Sequence, residues 1–275
     1  MNKNAYICAN FRGQMKIKEI VDALEGFAPL PLQDGFDNAG MQIGLTEAEA
    51  TGALLCLDVT EEVVDEAIET GCNLIVSHHP LIFKGVKSIT GKDYVERCIM
   101  KAIANGIVIY SAHTNLDNAR GGVNFKMAEK LGLKDVRVLD SKEWKGGEAG
   151  AGVTGMLEQP ETETGFLTRL KETFGAGCVK HGRLTRRTIQ KVALCGGSGA
   201  FLMGKAQEEG ADVFVTGEVK YHDYFYYDGT LLVAEIGHYE SEQYTKEIFY
   251  SIIRDMFPGL DIRMTRVNTN PIKYL

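Results

Sequence analysis

No stretch of this sequence stays apolar for the roughly 18–20 residues that cross a bilayer, which excludes a helical membrane span. Its first residues, MNKNAYICANFRGQ, lack the apolar core of a secretion signal. No Cys-x-x-Cys pair occurs among Cys8, Cys56, Cys72, Cys98, Cys178 and Cys195, and several of these sit inside apolar runs. The reading is a cytoplasmic protein with reduced, buried thiols. Positive charge is in deficit, with 30 Lys and Arg against 37 Asp and Glu and a net charge of −7, which argues against a binder of nucleic-acid phosphates. Histidine is scarce as well, six in 275 residues, so where the histidines stand carries information.

What is present is an internal repeat. Shifted by 139 residues, ALLCLDVTEEVVDEAIETGCNLIVSHH (53–79) lies without a gap over VALCGGSGAFLMGKAQEEGADVFVTGE (192–218). Each copy reads as strand, turn, helix, glycine stop and strand, with Gly71 and Gly210 at the helix ends. A second match follows with a small change of register: NGIVIYSAHTNLD (105–117) against DGTLLVAEIGHYESE (228–242). Strands apolar on both sides predict sheets covered by helices on both faces, an α/β fold of three layers, α/β/α, built by duplication. The division is a first half, 15–139, a connecting subdomain, 140–188, and a second half, 189–275, with residues 1–14 as an extension ahead of the fold. Ligands in such folds bind at strand ends, so equivalent ends from the two halves are expected to meet at one site.

Four of the six histidines stand at predicted strand ends. LIVSHHP puts His78 and His79 where an apolar strand stops. Adjacent residues of an extended segment point to opposite sides, so the pair is expected to serve two ions rather than chelate one. HTNLD adds His113 and Asp117, and GHYESE adds His238 and Glu242, both pairs at a spacing of four that shares a helix face. Imidazole and carboxylate donors suit zinc, manganese, iron and similar divalent ions. One histidine per ion, with a terminal and a bridging carboxylate, leaves positions open for water, which is the character of a catalytic site. GGSG (196–199) is read as a tight turn, since it lacks the Lys-Ser/Thr of a phosphate loop. Asp37 and Asn38 of FDNAGMQIG are read as shaping a turn, His181 as a surface residue, and His222 of TGEVKYHDYF as a second candidate proton carrier.

Taken in order, FDNAGMQIG, SHHPLIF, HTNLD, GGSG, TGEVKYHD and GHYESE resemble the GTP cyclohydrolase I type 2 homologue family, also called NGG-interacting-factor-like. The resemblance runs from Met15 almost to the last residue. It implies two intertwined α/β halves and a dinuclear centre of two divalent ions held by His78, His79, Asp117, His238 and Glu242. Glu242 would bridge, with His79 and Asp117 completing one ion and His78 and His238 the other. His113 would lie nearby, supporting the ligands or carrying protons, with His222 as a further catalytic candidate. It also implies a homohexamer and a small-molecule substrate, a nucleotide by the family's name. Two functions follow: a metal-dependent hydrolase opening the purine ring of GTP, or a non-enzymatic metal-binding or regulatory protein.

Overall fold

The computed structural model describes residues 15–275; the extension read at residues 1–14 lies outside the described residues. In chain order the elements are α1 (Ile17–Phe27), β1 (Gly40–Ile43), β2 (Ala53–Cys56), α2 (Glu61–Thr70), β3 (Leu74–Ser77), α3 (Tyr94–Ala104), β4 (Val108–Ser111), α4 (Thr114–Asn118), α5 (Val123–Lys130) and β5 (Lys134–Lys142). Then come β6 (Ala149–Thr162), α6 (Glu163–Phe174), β7 (Lys180–His181), β8 (Thr188–Cys195), α7 (Met203–Glu208), β9 (Val213–Thr216), α8 (Asp223–Tyr226), β10 (Leu232–Glu235), α9 (His238–Glu242), α10 (Thr245–Met256) and β11 (Ile262–Met264). They make a sheet of order β1-β4-β3-β2-β11 and a second of order β5-β6-β8-β9-β10-β7.

The duplication is visible in the hydrogen-bond register. Ala53 pairs with Leu74 and Cys56 with Ser77; 139 residues on, Val192 pairs with Val213 and Cys195 with Thr216. The third strands follow suit, with Leu74 against Val108 and Val213 against Leu232. All six strands are parallel within their sheets, and β2, β3, β4, β9 and β10 are buried at every residue, as their apolar runs require. Local signals agree with the global fold. Thr60 Oγ1 accepts from Val63 N at the start of α2, and Gly71, at φ 71°, ends the helix in the left-handed conformation that suits glycine.

Each sheet carries helices on both faces. One face of the first sheet, with Leu55 and Val76, packs on α1 and α10, and the other, with Leu54 and Ile75, on α2 and α3. In the second sheet Leu194 and Val215 face α5 and α6, while Ala193 and Phe214 face α7. The halves are intertwined through their trailing helices. Met127 and Ala128 of α5, a first-half helix, sit in the second sheet's core, and Ile248, Phe249 and Ile253 of α10 sit in the first sheet's. β11 then joins the first sheet beside β2. The stretch 140–188 lays β6 into the second sheet against β8 and covers one face of that sheet with α6.

Candidate metal centre

The parallel strands of both sheets end on the same cleft. Its floor is built from the residues just past those ends: Asp58 after β2, His78 and His79 after β3, and His113 and Asp117 after β4. Opposite them stand Gly197 after β8, Glu218 after β9, and His238 and Glu242 after β10.

Glu242 is at the centre. Its Oε2 lies 3.0 Å from His79 Nε2, 3.0 Å from His238 Nε2 and 3.8 Å from His78 Nε2. His79 Nε2 and His238 Nε2 are 3.3 Å apart, and His78 Nε2 is 3.6 Å from Asp117 Oδ1. Two of these atoms, His78 Nε2 and Asp117 Oδ1, are buried without any hydrogen-bond partner. A buried polar atom left unpaired costs about 1–3 kcal/mol, so two facing one another mark a place made for something between them. The donors fall into two groups around the shared carboxylate, His79–His238–Glu242 and His78–Asp117–Glu242, each with its ligand atoms within 4.8 Å of one another. Nitrogen and carboxylate oxygen at this spacing fit divalent ions such as zinc, manganese or iron.

The grouping differs from the one implied by resemblance: His78 stands with Asp117, and His79 with His238. It also corrects the geometry expected of the adjacent pair. β3 ends at Ser77, and the backbone N–H groups of His78 and His79 both donate to Leu57 O, so the alternation of an extended strand no longer applies. The two rings lie 4.9 Å apart at 48°, and both turn their Nε2 toward Glu242.

Each of the four histidines at the cleft floor is held from behind. His78, fully buried, donates from Nδ1 to Ala112 O at 2.8 Å, which leaves Nε2 as its lone-pair donor. His79 Nδ1 meets Asp58 Oδ1 at 2.7 Å, His113 Nδ1 meets Asp37 Oδ1 at 2.7 Å, and His238 Nδ1 meets Glu218 Oε1 at 3.0 Å. The segment after β11 reinforces this shell: Thr269 Oγ1 donates to Asp58 Oδ2 at 2.6 Å, and Asn270 Nδ2 to Glu240 Oε1 of α9 at 3.0 Å. Asp37 also accepts from Thr114, so it is no mere turn former.

The electrostatics follow from this packing. Burial works against charge on His79, yet the hydrogen bonds it donates to Asp58 and Glu242 outweigh it and lift its pKa to about 10. His238 is lifted to about 9 against the same burial, chiefly by the charge of Glu242. Burial also opposes ionisation of Glu242, but His238, His78 and His79 hold it well below the ordinary carboxylate range. Asp117 goes the other way, raised by burial and by the neighbouring Glu242 charge. Asp37, despite burial, is held at about 2 by His113 and Thr114.

His238 and Glu242 do share a face of α9. His113 and Asp117 do not form the matching pair: His113 is the residue before α4, whereas His238 is the first residue of α9. The strand register sets Thr114, not His113, against His238. His222 stays outside the site. It is exposed, its ring lies 5.2 Å from that of Tyr221 and 6.2 Å from that of Phe225, and it does not line the cleft. His181 is exposed. GGSG is a turn with a purpose. At Gly197, φ +57°, a Cβ would stand 2.2 Å from Glu242 Oε1, so only glycine leaves room for the central carboxylate. Three of the loop's four N–H groups are already used, Gly196 by Asn124, Gly197 by Ser241 and Gly199 by Thr216, which leaves too few for a phosphate cradle. Asp58 and Glu218 went unrecognised as supports. The available signal was an acidic residue just past an apolar strand run, Asp58 in CLD and Glu218 in VTGE.

The cleft above this floor holds about 460 Å³ and is lined by His79, His113, Asp117, His238 and Glu242 together with exposed aromatic side chains. Among the described residues, no helix is long and apolar enough to cross a membrane. Comparison with known proteins agrees with the architecture. The sequence profile of the family Duf34/NIF3 (NGG1p interacting factor 3) matches residues 15–271. A protein of Clostridium perfringens named GTP cyclohydrolase 1 type 2 homolog is 38% identical over 229 residues, covering 83% of this chain and 87% of that one. A protein of the same name from Lactococcus lactis is 33% identical over 262 residues, 94% and 98% of the two chains. The crystal structure of Staphylococcus aureus hypothetical protein SA1388 superposes with a TM-score of 0.89 at 31% identity, over 96% of this chain and all (100%) of that one. A Bacillus cereus protein related to NIF3 gives a TM-score of 0.88 at 25% identity over the same shares, 96% and 100%.

Proposed function

We propose that this chain, which belongs to the Duf34/NIF3 family, is a hydrolase that works with two divalent ions sharing Glu242. The observation carrying this reading is the pair of buried, unpartnered atoms, His78 Nε2 and Asp117 Oδ1, facing the carboxylate that also meets His79 and His238. Ions bound there would lower the pKa of a bridging water and polarise the bond it attacks. The chain's own residues supply the rest. Asp58, Glu218 and Ala112 O fix each ligating imidazole with its Nε2 toward the floor. His113 lines the cleft with Asp37 behind it, the arrangement of a general base and its orienting carboxylate.

The names of the relatives point to GTP as the substrate. On that reading one water adds at C8 and opens the imidazole ring to a formamide, and a second releases formate. Mixing metal-loaded protein with GTP and assaying formate tests it; absence of formate at saturating GTP refutes the substrate. His113→Ala should keep both ions and lose about 10²–10⁴-fold in turnover. A cytoplasmic homohexamer is part of the same proposal and is checked by native mass.

A further inference from the structure

We propose that the cleft recognises a planar heteroaromatic ring, of nucleobase or nucleoside class, by stacking on an aromatic rim, and makes no dedicated contact to a polyphosphate. This rests on the hydrolase reading for the orientation of the ring toward the floor, and it narrows the substrate class.

The rim comes from both halves. Phe36, Phe83 and Tyr94 belong to the first half and Phe201 to the second, and all four line the cleft while 67%, 46%, 54% and 69% exposed. Large apolar groups left in water around a cleft mark a binding surface. Phe36 and Phe83 meet edge to face at 6.4 Å, and Phe83 meets the His113 ring at 6.0 Å, so the aromatic wall leads down to the histidines. Offset or edge contacts of this kind are how aromatic rings receive another ring.

Little else on the lining is available to read a ligand. Each threonine, asparagine and serine there is already engaged. Thr114 donates to Asp37, Asn118 to Leu32 O, Asn124 to Asp117 O, and Ser198 to Glu218. Among the described residues, no lysine or arginine lines the cleft. Asp34 is answered by Lys142. That leaves Asp37, Asp58, Asp117, Glu218 and Glu242 around the floor, five negative charges against the four positive ones that two divalent ions would bring. Within the cleft itself a triphosphate would meet no cationic side chain, whereas a neutral ring meets four aromatic side chains.

The test is equilibrium binding by metal-loaded protein, followed calorimetrically with guanosine, adenosine, uridine, pterin and GTP. At least one uncharged ring compound is expected to bind, and GTP to bind no more than tenfold tighter than guanosine. Phe83→Ala and Phe201→Ala should each weaken the best ring ligand at least tenfold with metal content unchanged. Phe83→Tyr and Phe201→Trp should retain it. No binding by any ring compound at millimolar concentration overturns the proposal, as does GTP binding more than tenfold tighter than guanosine. So does wild-type affinity in both alanine variants. Turnover is not the readout, so ring binding without hydrolysis supports this inference while refuting the hydrolase, and hydrolysis without binding of any ring compound does the reverse.

Discussion

The two halves are built on one plan and do different work. At the end of their second strand the first half has Ser77-His78-His79, and the second has Thr216-Gly217-Glu218. In the first half the last of these residues faces the cleft as a donor, while its counterpart, Glu218, stands behind His238 as a support. At the end of the first strand, Asp58 supports His79 where its counterpart, Gly197, makes way for Glu242. Four of the six clustered side chains come from the first half, but the shared carboxylate comes from the second. A duplicated scaffold fixes where side chains emerge, and it leaves free what each of them does.

The most severe way to break this division is Glu242→Ala. It removes the one group common to both clusters and leaves His79 only Asp58, and His238 only Glu218, as a facing carboxylate. Loss of all bound metal by elemental analysis is expected, with about 3–5 kcal/mol less stability in the metal-free protein by denaturant titration. Gly197→Ala should come next. A Cβ 2.2 Å from Glu242 Oε1 displaces the carboxylate, and the left-handed backbone alone costs about 1–2 kcal/mol. Gly210→Ala, at φ +69° with nothing within 4 Å, should cost the backbone amount and keep its metal.

The supports sharpen the comparison further. Asp58→Asn and Glu218→Gln should each weaken metal binding about 10–100-fold by competition with a chelator. The larger loss is expected at Asp58, which Thr269 also holds, than at the exposed Glu218.

How much of this could be read from the sequence depended on which forces placed each part. The repeat at 139 residues is legible because fully buried strands must be apolar throughout and the helices between them end on glycine. The third strands match at an offset one residue short of the one that aligns His113 with His238. Two similar-looking motifs thereby occupy different positions, and no pattern of apolarity reports a slip after the strand ends. The supports were hidden because closure of the tertiary fold makes them. Asp58 is 21 residues from His79, Asp37 is 76 from His113, and Thr269 is 211 from Asp58. His222 misled because it stands near a strand end in sequence while its helix turns outward.

The two histidines that flank Glu242 have a carboxylate at each ring nitrogen, whereas His78 Nδ1 faces a neutral carbonyl. With His79 at about 10 and His238 at about 9, both are charged at neutral pH in metal-free protein, so an ion must displace their protons. Metal affinity should therefore rise with pH up to about 9–10 and fall on acidification, seen by titration at several pH values. The sign for stability is opposite. Raised pKa values stabilise the metal-free fold fully below the ordinary histidine value of about 6.5, and that contribution fades as pH rises through about 9 and 10. Melting curves of metal-free protein should show this slope, and metal-loaded protein should lack it. The smallest effect is expected from Thr269→Val, about 1 kcal/mol from one hydrogen bond to Asp58, read as a lower melting temperature.

That threonine and its neighbour Asn270 give the centre a place in the life of the chain. Domains emerging from a ribosome fold from their N-terminal end. Here the strand that flanks β2, the bond that holds Asp58 and the bond that holds α9 all wait for residues 262–270. Synthesis delivers Asp58, which orients His79, 211 residues before Thr269, which holds Asp58 in turn. A product truncated between Glu242 and Ile262 would carry every residue of the proposed centre without Thr269 and Asn270 to support it.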